Sequence, residues 1–417
     1  MWLFYLFAAL VLAQGALSLR GGLRYLAYVR REMSAGESDY APFAAVIVPC
    51  RGLDQGLRDN LAALFHQRYP AYEILFVVDD PGDPARSVIE AVRRDFASRK
   101  GVGSRVVVAG RSVATGQKVH NLRAGTQHVS PESEVLVFAD SDTAPREDWL
   151  RSLIGPLRDE RIGAATGYRW FFPVRGGLPS YLRAVWNASV AGALGENRQR
   201  NFCWGGSTAI RRATFNQLNM LDLWKGTLSD DYALTRAIHR AGLQVHFVPN
   251  CLTASHEDCT FAQLIEFTTR QIKITRVYAP RLWQIVLWTN LLFGLVFFGG
   301  IALAAARVAL GLPYAGPLAV VAGIYALGAT KAYLRLRAVA LPLAPYAARL
   351  RRGAPAFLLL WPLASLIYLW NALAAAASRR ITWRGITYEL KSAEETVIIS
   401  GSQPDETPEM ERASHAQ

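Results

Sequence analysis

Three acidic sites in this chain are placed where chemistry could be done. Asp140 and Asp142 flank Ser141 in "FADSDTAP" (138–145), where an apolar run gives way to a loop. Carboxylates at i and i+2 in that setting can converge on one hard divalent cation. Oxygen-only ligation suits Mg2+ or Mn2+ holding phosphate oxygens. An Asx-rich turn after a strand would carry the same residues with no ion. Asp79 and Asp80 end another apolar run, "YEILFVVDD" (72–80). Asp230 and Asp231 follow Ser229 at the head of "DDYALTRAIHRAG" (230–242). Ser229 and Asp230 are good N-cap residues, and the helix dipole favours acids in the first turn. Capping is therefore the plain reading of this pair, and a general base is the other. Tyr232, Leu234, Ala237 and Ile238 then give a helical apolar spacing that Gly242 ends.

The elements that must position these acids are short β-branched runs: "FAAVIVPC" (43–50), "YEILFVVDD", "SRVVVAG" (104–110) and "EVLVFAD" (134–140). Near-continuous apolar strands alternating with helical segments predict a mostly parallel α/β sheet buried on both faces. In such sheets ligands bind beyond the carboxyl ends of the strands, where Asp79, Asp80, Asp140 and Asp142 stand. No GxGxxG follows a strand, and "GRSVATGQKV" (110–119) departs from a P-loop in its glycine spacing and lacks Ser or Thr after the lysine. A Rossmann dehydrogenase and a Walker ATPase are both excluded.

Outside this region the chain is apolar. Of its 417 residues 51% are hydrophobic, and the segments 282–306, 308–330 and 354–378 carry no charge. Each is long enough to cross a hydrocarbon core of about 30 Å as a helix. Residues 1–19 form a fourth apolar run, followed by Arg20, Arg24, Arg30 and Arg31. A cleaved signal peptide has its basic residues first, so a transmembrane anchor is expected here. The net charge is +13, but the arginines crowd beside the apolar runs, at Arg335, Arg337, Arg349, Arg351, Arg352, Arg379, Arg380 and Arg384. The positive-inside rule and anionic lipid account for that distribution better than nucleic acid does. The four cysteines (Cys50, Cys203, Cys251, Cys259) have no CxxC spacing.

In combination these blocks resemble the family-2 type of glycosyltransferase with a GT-A fold, and more closely the ceramide glucosyltransferases of family 21. "PCRGLDQGLRDNLAALFHQRYPAYEILFVVDDPGDPA" (49–85) resembles that family's first block. "GQKVHNL" (116–122) is similar to its Lys-x-x-Asn-Leu segment, and "FADSDTAP" to its metal loop. "GGSTAIRRATF" (205–215) is similar to its acceptor-side Gly-x-Ser, and "SDDYALTRAIHRAG" to its acid-Asp-Tyr block. The resemblance implies a metal-dependent, inverting hexosyltransferase that takes a UDP-sugar, with UDP-glucose expected. It implies that Asp80, rather than Asp79, faces the uracil and ribose, and that Lys118 approaches the diphosphate. By the same resemblance Asp140 and Asp142 hold Mg2+ or Mn2+, with Asp142 the more direct ligand. Asp231 is the implied base and Asp230 its neighbouring acid. Gly206, Ser207 and Trp204 fall on the acceptor side, where Trp204 either stacks on a sugar, lines a lipid groove or packs in the core. The acceptor would be a lipid hydroxyl, ceramide-like or diacylglycerol-like. "ITWRGITYEL" (381–390) resembles the family's Trp-Arg tail block and is expected to pack on the catalytic domain.

One departure stands out. The related synthases carry Q/R-x-x-R-W on a helix near the membrane, whereas "TRQIKITRVY" (269–278) reads Arg270, then Lys273 for Arg and Ile274 for Trp. Lysine loses bidentate phosphate geometry and isoleucine loses the stacking surface. Arg276 could substitute in space, and a basic helix touching lipid headgroups is the other reading. A processive polysaccharide synthase would want that motif intact and more spanning helices. A non-catalytic nucleotide-binding scaffold and a transporter are rivals of other classes; the spans offer too few polar residues for the last. The expected layout is an anchor (1–20), a basic linker (21–39), a GT-A domain (40–262) and an interfacial helix (263–281). Membrane helices (282–378) and a tail (379–417) with a disordered end follow. An integral protein of a bacterial plasma membrane with its catalytic domain in the cytoplasm is expected, with no nucleic acid and no obligate protein partner. Either Pro362 makes the last run re-entrant or "AVALPLAPYAA" (338–348) dips into the bilayer.

Overall fold

The computed structural model describes residues 1–401. The stretch expected to be disordered lies outside the described residues from position 402 onward. Among the described residues ten strands form: β1 (Ala44–Pro49), β2 (Tyr72–Val78), β3 (Val102–Val108), β4 (Val135–Ala139), β5 (Ile162–Phe172), β6 (Ser207–Arg211), β7 (Gln244–His256), β8 (Arg380–Trp383), β9 (Ile386–Leu390) and β10 (Thr396–Gly401). The helices that matter for the site are α1 (Trp2–Ser34), α2 (Gln117–Gln127), α3 (Leu178–Ala191), α4 (Asp230–Arg240) and α5 (Phe261–Tyr278). Toward the C-terminus come α6 (Pro280–Ala309), α7 (Ala315–Val339), α8 (Ala347–Leu359) and α9 (Trp361–Ala377).

The first seven strands make one sheet in the order β3-β2-β1-β4-β6-β5-β7. The pairs β1–β2, β2–β3, β1–β4 and β5–β7 are parallel, and β6 alone runs antiparallel to its neighbours. The expected α/β class and mostly parallel sheet are found. All seven residues of β2 are buried, as a β-branched strand covered on both faces requires. β3 is the edge and is only partly buried. The chain leaves β1 for β2 on one side while β4 pairs on the other. That reversal opens a crevice at the carboxyl ends, a usual ligand position in such sheets.

The apolar runs do not map one-to-one onto helices. α1 continues through the basic residues to Ser34, so the stretch expected as a linker is mostly helix. The run 308–330 is divided, because Gly311 takes φ +67° and Pro313 cannot continue α6. Among the described residues three helices, α1, α6 and α7, are long and apolar enough to cross a membrane. The run 354–378 is broken: α8 and α9 meet at a 66° bend with Pro362 in the first turn of α9. This is the position where a re-entrant turn was expected.

The sheet half and the helical half share a core. Tyr25, Tyr28 and Val29 of α1 pack with Trp170 and Phe172 of β5, Trp186 of α3 and Leu336 of α7. The tail strands β8–β10 form a separate antiparallel sheet that packs on Leu228 and against Ile274 and Val277 of α5. The tail therefore lies on the same side of the apolar helices as the seven-stranded sheet.

Candidate active site

A cavity of about 1660 Å3 opens at the carboxyl ends of β1 and β4 and extends down between the apolar helices. Lys118, Asp140, Asp142, Arg169, Trp204, Asp230, Asp231 and Arg270 line it, and so do Thr289 and Asn290 of α6. Asp140 and Asp142 follow β4. Lys118 sits in the first turn of α2, and its Nζ is 2.7 Å from Asp140 Oδ1 and 3.6 Å from Asp230 Oδ1. Arg169 reaches across from β5, placing Nη2 2.9 Å from Asp140 and Nη1 3.0 Å from Asp142. Its guanidinium lies 4.8 Å from the Trp204 ring centroid, a cation–π contact.

Two glycines let this cluster close. A Cβ on Gly205 would lie 2.2 Å from Asp230 Oδ2 and 2.8 Å from Lys118 Nζ; one on Gly206 would lie 2.5 Å from Asp140 Oδ2. The Gly-Gly pair thus serves the approach of charged side chains. Ser207 is fully buried and accepts a bond from Trp149 Nε1 at 2.8 Å, so it holds the sheet together and is not part of the cavity wall.

The electrostatics divide the acids. Burial works to raise Asp140, but Lys118 and Arg169 outweigh it and hold the carboxyl below its ordinary range. Burial pushes Asp230 up to about 7; Lys118 opposes the rise, and Asp231 and Asp140 add to it. Burial disfavours the charged forms of Lys118 and Arg169, yet the carboxylates around them win and both cations are held more firmly. Asp142 Oδ1 is buried with no hydrogen-bond partner among the described residues.

The capping role expected of Asp230 falls to Asp231. Asp231 Oδ1 accepts from Ser229 Oγ and from the backbone N–H of Tyr232 at 2.7 Å, so Asp231 shares the cap with Ser229. Asp230 instead turns toward Lys118. Asp231 keeps its access: it is half-buried, it lines the cavity, and these bonds use Oδ1 alone. α5 fixes this corner. Tyr278 Oη accepts from the N–H groups of Leu228 (2.8 Å) and Ser229 (3.3 Å), and Tyr232 Oη meets Thr275 Oγ1 at 2.8 Å.

Besides Ser207, the expected site residues Asp80 and Lys273 are not brought in. Asp80 turns outward, half-exposed, to Gly82 N (2.8 Å) and Arg111 (3.5 Å). Its neighbour Asp79 is buried and anchors Arg51, which lines the cavity, at 2.7 Å. Lys273 bonds the carbonyl of Arg380 at 2.7 Å, outside the cavity, and Ile274 takes the wall position. Arg276 is tied to the carbonyls of Ala375 and Ala376 and does not replace it. Arg270 does enter, stacked between Phe267 and Trp383; burial pushes its guanidinium down to about 10, with Glu266 opposing.

Two side chains of the site escaped the sequence reading. Arg169 stands in an otherwise apolar strand, "GYRWFF", and an arginine in such a run is itself a signal. Arg384 was expected only to help pack the tail. It does more, because its guanidinium bonds the Arg51 carbonyl and Asp54, each at 2.6 Å. Asp54 in turn accepts from Ser141 Oγ at 2.9 Å, inside the Asp140–Asp142 loop. Arg384 holds φ +48°, uncommon for a side chain larger than glycine's, and these bonds keep it there.

A sequence model of glycosyl transferase family 21 matches residues 3–396, nearly the whole chain. The chain belongs to glycosyl transferase family 21. Among curated relatives, an N-acetylglucosaminyltransferase of Rhizobium leguminosarum bv. viciae is 28% identical over 244 residues, 52% of this chain and 52% of the relative. Ceramide glucosyltransferase 3 of Caenorhabditis elegans is 19% identical over 249 residues, 59% of this chain and 53% of the relative. The family 21 chain thus spans about half the length of these relatives. Among solved structures, a mannosyltransferase of Pyrobaculum calidifontis in complex with GDP-Man and Mn2+ aligns with a TM-score of 0.46 at 18% identity. That alignment covers 89% of this chain and 98% of the other.

Proposed function

We propose that this family 21 chain is a membrane-bound inverting hexosyltransferase that moves a hexose, glucose by expectation, from a UDP-sugar to a lipid hydroxyl. The acceptor class is ceramide-like or diacylglycerol-like. One observation carries the reading: a single cavity joins the Lys118–Asp140–Arg169 cluster at the strand ends to Thr289 and Asn290 between apolar helices. The first end suits a diphosphate and the second suits a lipid.

In the proposed reaction the bond between the sugar's anomeric carbon and the diphosphate oxygen breaks, and UDP leaves with the electron pair. The acceptor oxygen attacks from the opposite face, and its proton passes to the Asp231 carboxylate. Lys118, Arg169 and Arg270 face the charge that develops on the leaving diphosphate. Asp230, buried on Lys118, keeps that cation aimed. The acids also fit a divalent ion: Asp142 Oδ1 is a buried oxygen with no hydrogen-bond partner among the described residues, two positions from Asp140. Among the described residues no cluster of three or more acid, His or Cys side chains could hold an ion. Asp140 and Asp142 are therefore the residues that would hold it, a small carboxylate count that Mg2+ tolerates. Bound there, Mg2+ or Mn2+ would supply Lewis-acid neutralisation of the departing UDP.

The topology supports a lipid acceptor. α6 leaves the catalytic side and α7 returns to it, so a re-entrant α8–α9 brings the tail back to the same side. Arg31 pairs with Glu196 and Arg349 meets His256 on that side, which favours the cytoplasmic face of a bacterial plasma membrane. The test is product analysis: full-length protein in detergent, UDP-glucose or UDP-galactose, Mg2+ or Mn2+, and a panel of ceramides and diacylglycerols. Hexosylated lipid is expected, and Asp231→Asn is expected to abolish it while UDP-sugar still binds. Nucleotide binding with no turnover on any lipid would replace the proposal with the scaffold reading.

A further inference from the structure

Between α1, α6, α7 and α9 lies a second cavity of about 250 Å3. It shares Asn290, Lys331, Ser365 and Tyr368 with the large one, so the two lie side by side across a common wall. Two cations line it: Lys331 and Arg335, one turn apart on α7. Among the described residues no Asp or Glu is in its wall. Lys331 donates to a neutral hydroxyl, Ser18 Oγ of α1. Arg335 passes over Gly192 at the end of α3, where a Cβ would come within 2.8 Å of its Nε. The missing side chain is what admits the guanidinium.

Cations inside an apolar bundle are costly, and they are usually paired or turned toward a water-filled path. Arg and Lys near a helix end often escape by snorkelling to the headgroups. Lys331 is two turns inside the end of α7 and turns into the cavity instead. An anion supplied from outside the chain would answer both charges, and Asn290, Ser365 and Tyr368 offer neutral hydrogen bonds beside it.

We propose that Lys331 and Arg335 bind the phosphate of an anionic lipid seated in this cavity, next to the path to Asp231. The proposal rests on the reading that the large cavity receives a lipid. The lipid is either a phospholipid with a free hydroxyl, which would then replace the ceramide-like or diacylglycerol-like acceptor, or a bilayer phospholipid retained beside that neutral acceptor, and both present the same phosphodiester.

The experiment uses the full chain in neutral detergent and measures binding by native mass spectrometry. The probes are dioctanoyl phosphatidylglycerol, which has a phosphate and free hydroxyls, and dioctanoylglycerol, which has only the hydroxyl. The wild type is expected to bind the phospholipid more tightly by about tenfold or more. Lys331→Gln/Arg335→Gln is expected to lose that preference. Arg351→Gln/Arg352→Gln, the same charge loss at exposed positions, is expected to keep it. Equal affinity for both lipids in the wild type, or a preference intact in the Lys331/Arg335 double variant, would overturn the proposal. Should that variant fail to fold, a photoactivatable phosphatidylglycerol on the wild type decides: adducts on α1, α7 or α9 support the site, and adducts confined elsewhere refute it. Adding UDP-glucose separates the sources. Hexose on the phospholipid makes it the acceptor, and hexose on dioctanoylglycerol alone makes it a resident lipid. Phospholipid preference with no transfer to any lipid would leave the anion site standing and remove the transferase reading.

Discussion

Arg169→Met tests how the central cluster is balanced. The substitution keeps most of the side chain's bulk over Trp204 and removes the charge that bridges Asp140 (2.9 Å) and Asp142 (3.0 Å). Both carboxylates are largely shielded, with side-chain exposures of 17% and 27%. Removing one partner of a fully buried pair costs about 3–5 kcal/mol, because the remaining charge is stranded. Here Lys118 still holds Asp140, and Asp142 has some solvent, so a loss of about 2–3 kcal/mol is the appropriate scale. The stranded carboxylates should also bind a divalent cation more tightly than the wild type does. An ion at one hundred times its dissociation constant would return about 2.7 kcal/mol, close to the whole loss. The assay is thermal unfolding of the purified variant in detergent, with chelator and then with rising Mn2+ or Mg2+. The variant should melt well below the wild type in chelator and recover most of the difference with the ion, while the wild type responds less. A variant as stable as the wild type in chelator, or one that gains no more from the ion than the wild type does, would refute the reasoning.

The remaining predictions concern the walls of the site. Arg270→Ala should lower kcat/KM by about tenfold or more, as expected when a charge-assisted bond to a diphosphate is lost. Lys273→Ala should change it by less than about twofold, since its partner is a carbonyl outside the cavity; steady-state kinetics with UDP-glucose compare the two, and the opposite order would overturn their placement. Arg384→Ala frees Asp54 and the loop around Ser141, so the donor KM should rise by about tenfold with a smaller change in kcat; an unchanged KM would return Arg384 to a packing role. Asp258 accepts from the N–H groups of Val174 (3.0 Å), Arg175 (2.8 Å) and Gly176 (3.2 Å). Burial works to raise its carboxyl, but these donors prevail and hold it below the ordinary range. Its stabilisation is therefore complete above the unfolded value of about 3.9 and is lost as pH falls through the lower folded value. Melting curves of wild type and Asp258→Asn should converge over that acidic window and separate above it.

Much of the sheet was legible because β1, β2 and β4 are near-continuous β-branched runs, which few other structures accommodate. β5 and β7 were not. Gly163, Gly167 and Arg169 interrupt the first, Pro249 and Asn250 interrupt the second, and their pairing slips register between Thr166 and Tyr168. Periodicity cannot register a strand whose apolar pattern is broken where it meets a partner. The apolar runs marked the helices of the bundle but not their ends, because charge-free sequence does not say where a chain turns. Gly311 with Pro313, and the bend before Pro362, decided that.

The site was legible wherever a side chain's role follows from its own element and was hidden wherever the role comes from across the fold. Asp140 and Asp142 could be placed because they end a strand. Arg169 could not, because it meets them only through the order β4-β6-β5. Arg384 lies 330 residues from Asp54 and closes the same loop through the tail sheet. The pair Asp230–Asp231 shows the limit most clearly. Adjacent residues at a helix head are locally equivalent candidates for the cap, and Asp230 appeared the better one. What separates them is Lys118 on α2 and the absence of a side chain at Gly205, which together draw Asp230 inward and bury it. The cap then falls to Ser229 and Asp231. With Asp230 held on Lys118, Asp231 lines the cavity with one carboxylate oxygen outside the cap bonds.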